Sequence, residues 1–126
     1  MVSDRYERGF EKLKEIDGEA GERVIESLKD ISPDFAHYLI EFPFGDIYIR
    51  AGLDLKSREI ATVAALVALG NAVPQLKVHV NGALNVRCSE TEVIEVIIQM
   101  AVYAGFPGAL NGLSAAKEVF DERRRK

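Results

Sequence analysis

Between residues 54 and 107 the chain alternates helix starts with helix stops, and no other feature restricts its fold as much. Asp54 suits the N-cap of "LKSREIATVAALVAL", Gly70 suits its end, and Asn71 to Pro74 suit the turn into "QLKVHVNGALNV". Ser89 and Glu92 spell a capping box in front of "VIEVIIQMAVYAG". Gly105 closes that segment and Pro107 follows it. The run Val93 to Ile98 would pass for a strand in isolation, but the capping box and the flanking helices argue against it.

The flanking segments keep the helical period. Tyr6, Phe10, Leu13 and Ile16 share one face, as do Val24, Ile25 and Leu28. Ser32 and Pro33 mark a third start, the N-cap and the first helical position. That segment is expected to run through Pro43 with a bend into "FGDIYIR". The last helix, "GALNGLSAAKEVFDERRR", reaches the terminus. The expected fold is all-α, a bundle of six or seven helices in a single domain over residues 1–126.

Composition narrows the function classes. With a net charge of -4 the chain lacks the basic face of a nucleic-acid binder. Its basic cluster, Arg123 to Lys126, suits a helix C-terminus. A single cysteine excludes an internal disulfide, a CxxC redox pair and a cysteine-rich zinc site. The charged N-terminus is not that of a secretory signal. The apolar run Ile60 to Leu69 is too short to span a bilayer. The expectation is a soluble cytoplasmic protein with no nucleic-acid or membrane partner. The helix of Ile60 to Leu69 is apolar on almost every side and is expected to be central. Together with Val93 to Tyr103 it offers more apolar surface than a small monomer hides, so homo-oligomerisation is expected.

Few residues can carry chemistry. His79 has Gln75, Gly82 and Ala83 on its helix face, and the two small residues leave room for a pocket or for close helix packing. Histidine titrates near neutrality and suits proton transfer, although a buried histidine bonded to a carbonyl or carboxylate is the commoner outcome for such a residue taken alone. Glu59 is either a first-turn acid paired with Lys56 or Arg58, or a carboxylate sharing a proton with His79; spacing alone does not bring the two together. Cys88 reads as a packed small residue, and His37 as a histidine at the core edge. Arg50 is a candidate for gripping a substrate carboxylate, its alternative being an ion pair with Asp46 or Asp54. Tyr48 and Tyr103 are candidates for lining an apolar pocket. No metal cluster is spelled out, and "GFPGALNG" lacks the lysine of a phosphate loop.

Taken in order, "RYERGFEKLKEI", "FGDIYIRAGLDLKSREIATVAAL", "PQLKVHVNGALNVRCSETEVIEVIIQMAVYAGFPGALNGL" and "AAKEVFDE" resemble the carboxymuconolactone decarboxylase family over nearly the whole chain. The resemblance implies the fold of the alkylhydroperoxidase-D-like proteins and a ring-shaped homo-hexamer. The redox branch of that superfamily carries its CxxC pair where Ala72 and Gln75 stand here, so a peroxidase-type redox role, resting on Cys88 alone, is disfavoured. The decarboxylase branch acts without a cofactor on 4-carboxymuconolactone, in the catabolism of aromatic compounds. By resemblance, His79 is the proton donor and Glu59 its partner, with Arg50, Gln75, Tyr48 and Tyr103 around a small-molecule substrate. The chain departs from that branch in three places. Gln75 stands for a glutamate, Tyr48 for a tryptophan, and Ser114 lies where a histidine is usual. A non-catalytic oligomeric binding module that kept the fold is the third reading.

Overall fold

The computed structural model describes residues 2–126. Among them the regular structure is helical throughout, with no strand. Helix α1 spans Asp4–Leu28, α2 Pro33–Leu39, α3 Leu55–Leu69, α4 Val73–Asn85 and α5 Glu90–Arg125. A π-helical stretch, Ile40–Ile47, continues directly from α2. The backbone leaves helical geometry at Gly18 in α1 (φ 55°) and at Gly105 in α5 (φ 85°). A positive φ costs glycine little and other residues much, so these two positions break the helices. Counted between breaks, the seven helical segments of the sequence reading are all present.

The chain forms two compact units, the first ending at Leu55 and the second spanning Lys56–Lys126. In the first, Ser3 caps α1 by accepting from the Tyr6 amide, and Ser32 caps α2 by accepting from that of Phe35. Leu13, Ile16, Ile25, Ala36, Ile40 and Phe44 are buried. So is Asp17, which the sequence reading passed over although it stands one turn beyond Leu13 on the apolar face. Beyond the Gly18 break the chain folds back, bringing Gly21 against Leu13.

The expected bend at Pro43 takes another form. The helix widens to i→i+5 hydrogen bonding, seen where the Tyr48 amide donates to the Pro43 carbonyl at 2.8 Å. The wider turn accommodates a proline that an α-helix would expel. Gly45 packs there against the Arg5 carbonyl of α1. The same seam is closed by Asp46, which accepts from Arg5 at 2.7 Å and from Arg8 at 3.2 Å.

The second unit holds a continuous apolar core running from Val63 and Val67 through Leu76, Val80 and Ala83 to Val93, Ile97 and Phe120. Helix α3 is less enclosed than its composition suggests. It buries one stripe, Glu59, Val63 and Val67, spaced by four, while Leu69 is exposed. The capping box at the head of α5 is complete. The Glu92 amide donates to Ser89 Oγ at 3.0 Å, and the Ser89 amide to Glu92 Oε1 at 2.9 Å. By length and composition α5 could cross a membrane. It is not one straight rod, however: beyond Gly105 its second arm returns, placing Gly112 against Ile97 of the first arm and Val67 of α3.

Candidate functional site

Among the described residues, the second unit brings one acid and one histidine into direct contact. His79 Nδ1 lies 2.9 Å from Glu59 Oε1. Glu59 belongs to the buried stripe of α3 and has no solvent exposure, whereas the His79 side chain keeps 18%. The contact joins residues 20 apart in sequence, from two different helices. It replaces the pairing of Glu59 with Lys56 or Arg58 that the sequence also allowed. Lys56 instead meets Glu92 at 2.9 Å.

The arrangement has a definite polarity. An ionised carboxylate only accepts hydrogen bonds, so with Glu59 ionised the proton of the shared bond would sit on Nδ1. That is the tautomer in which Nε2 can take up a proton. Glu59 Oε2 is also buried, and it makes no hydrogen bond among the described residues. A buried carboxylate with an unpartnered oxygen is costly, and such groups cluster where a protein needs their chemistry.

The neighbours of His79 are now placed. Gln75, one turn earlier on α4, is exposed, while Gly82 and Ala83 are buried. The small residues therefore serve helix packing, and the exposed polar neighbour of His79 on this face is Gln75. Helix α4 starts at Ala72 without a side-chain cap and carries Pro74 in its first turn. Tyr103, on the first arm of α5, is 80% exposed. Cys88 is buried, its thiol 3.9 Å from the Lys56 carbonyl. A buried thiol of this kind behaves as a packed apolar residue.

Two further candidates fall in the first unit. The Tyr48 ring stacks on Phe44 with centroids 5.1 Å apart, and Arg50 follows on the exposed turn after the π-helix. Asp46, one of two acids considered for Arg50, is engaged by Arg5 and Arg8. His37 is exposed rather than at the core edge, its ring 4.6 Å from that of Tyr6.

Two comparisons with known proteins identify the family. The model of the carboxymuconolactone decarboxylase family matches residues 33–118, a stretch that includes Glu59, Gln75 and His79. The chain is 33% identical to 4-carboxymuconolactone decarboxylase of Acinetobacter baylyi, over 94% of this chain and 88% of that protein. It is 32% identical to a 15.0 kDa protein of Paracoccus denitrificans, over 76% and 72% of the two chains. A nitrosuccinic acid decarboxylase of Metarhizium robertsii is 25% identical over 93% of this chain and 82% of its own.

Proposed function

Because this chain belongs to the carboxymuconolactone decarboxylase family, we propose that it is a carboxy-lyase. It removes CO2 from a small unsaturated lactone or keto acid, with His79 as the proton donor. The observation carrying this reading is the 2.9 Å contact between a partly exposed histidine and a fully buried glutamate. Two relatives are named as decarboxylases, and in both named substrates an electron-accepting group, a nitro group or an unsaturated lactone, is at hand to take the electron pair left by CO2.

The reaction balances without a redox partner. The bond from carbon to the carboxylate breaks, CO2 leaves, and the electron pair enters the conjugated system as an enolate. His79 Nε2–H then delivers a proton to carbon, and the imidazole regains one from solvent. Positioned proton transfer of this kind is worth about 10²–10⁴ in rate. Glu59 holds the ring so that Nε2 faces the substrate and steadies the imidazolium while it carries charge. Gln75, an amide one turn from His79, is suited to donating a hydrogen bond to a substrate oxygen. Arg50, with its planar guanidinium, is chemically suited to a carboxylate.

The test is decarboxylation of 4-carboxymuconolactone followed by ultraviolet absorbance, with wild type beside His79→Ala. Turnover in the wild type and its loss in the variant are expected. A wild type inert toward this lactone would remove it as the substrate, and undiminished turnover by the variant would remove His79 as the acid.

A further inference from the structure

The first unit holds a groove of about 670 Å³, within the usual range for sites that take small molecules. Arg8, Glu11, Lys12 and Glu15 line it from one face of α1, with Lys14 beside them, and Ile49 adds an apolar wall. Lys12 and Glu15 satisfy each other at 2.9 Å. The remaining charged groups keep unused capacity. Arg8 donates through Nε to the Gly45 carbonyl at 2.7 Å and through Nη2 to Asp46 at 3.2 Å. These bonds fix the plane of the guanidinium and leave Nη1 without an acceptor among the described residues. Lys14 Nζ sits 5.0 Å from the centroid of the Phe10 ring. Among the described residues neither Lys14 nor Glu11 forms an ion pair.

We propose that this groove binds a zwitterionic α-amino acid with an apolar side chain. Its carboxylate meets Arg8 Nη1 and Lys14, its ammonium meets Glu11, and its side chain lies on Ile49. Arg8 and Glu11 stand one turn apart on α1, close enough for their charges to reach the two ends of one small molecule. The mixed lining selects against simpler charges. A polyanion would face Glu11 and Glu15, and a cation would face Arg8, Lys12 and Lys14. A zwitterion is neutral overall and pairs with both signs. The lining contains neither Glu59 nor His79, and the inference stands independently of the decarboxylase reading.

Methyl NMR read at Ile49 decides it, at low ionic strength, where exposed charges are least screened. Leucine is expected to move the Ile49 signal saturably, with a dissociation constant on the order of 1 mM. N-acetylleucine lacks the ammonium and leucinamide lacks the carboxylate; each is expected to bind about tenfold more weakly or worse, because one charged group then goes unpaired. Glu11→Gln, at an exposed position, is expected to weaken leucine about tenfold and to leave N-acetylleucine unchanged. Circular dichroism checks that this variant is folded, and the ligand series on wild type stands without it. His79→Ala is expected to bind leucine as wild type does. The absence of a saturable shift with leucine overturns the proposal, as does equal binding of the three ligands. So does a folded Glu11→Gln that binds leucine undiminished, or a loss of leucine binding in His79→Ala. No arm uses decarboxylation, so failure here leaves the assay of that reaction unaffected.

Discussion

Glu59 and His79 form an asymmetric pair: the carboxylate is wholly enclosed, and the imidazole it touches at 2.9 Å keeps one edge toward solvent. In the proposed reaction the buried member orients and the exposed member reacts. Glu59→Gln keeps the size and an accepting oxygen but removes the charge. Its turnover on a substrate that the wild type decarboxylates is expected to fall about 10–100-fold, by analogy with the cost of losing the hydrogen-bond partner of a metal-bound histidine. Its melting temperature should be equal to or above that of wild type, because an enclosed charge has been removed. Thermal denaturation followed by circular dichroism, run beside the kinetic assay, separates the two effects. Unchanged turnover would mean that Glu59 does not orient His79.

Gly9 and Gly45 let α1 and the π-helical stretch touch backbone to backbone. A Cβ on Gly45 would stand 2.5 Å from the Arg5 carbonyl, and one on Gly9 would collide with the Ile40 carbonyl. Backbone cannot retreat as a flexible side chain can. Gly9→Ala is therefore expected to destabilise by about 1–3 kcal/mol, despite alanine's better helix propensity. Urea denaturation measures it, and a more stable variant would contradict the tight seam.

The same seam predicts a pH effect. The Arg5 guanidinium hydrogen-bonded to Asp46, aided by Arg8, holds that carboxyl below the usual aspartate range. A depressed carboxyl contributes stability above its unfolded value of about 3.9 and loses it as pH falls through the lower folded value. Asp46→Asn should thus lower the melting temperature at neutral pH. The gap to wild type should close as pH drops below about 4. A gap that persists at low pH would show that the ion pair is not its source.

The capping box at the head of α5 supports a simple mutational test. Ser89→Ala removes the acceptor for the Glu92 amide, seen at 3.0 Å, and is expected to cost about 1 kcal/mol. Glu92 holds a second role through Lys56, whose hydrogen bond keeps its carboxyl below the usual range. Glu92→Ala should therefore cost more than Ser89→Ala, as read from the denaturation midpoints of the two variants. Equal costs would mean that the surface pair with Lys56 contributes nothing measurable.

Helices, caps and breaks were legible in the sequence because they are local. A capping box, a proline in a first turn or a glycine at positive φ acts within four residues, and Ser89, Pro33 and Gly105 do what their positions announce. The family was legible too, through strings such as "FGDIY" and "LKVH", which the matches at residues 33–118 and across 94% of the chain bear out. Tertiary structure alone decided the rest. In a flush antiparallel hairpin turning at Gly70 to Val73, His79 would face roughly residue 64, some five residues and about 7 Å from Glu59 at the helical rise. Only the actual packing of α3 and α4 brings the two within 2.9 Å. The π-helical widening at Pro43 and the exposed tip of α5 share that origin. Each depends on where one helix meets another, or fails to, and no spacing along a single helix encodes it.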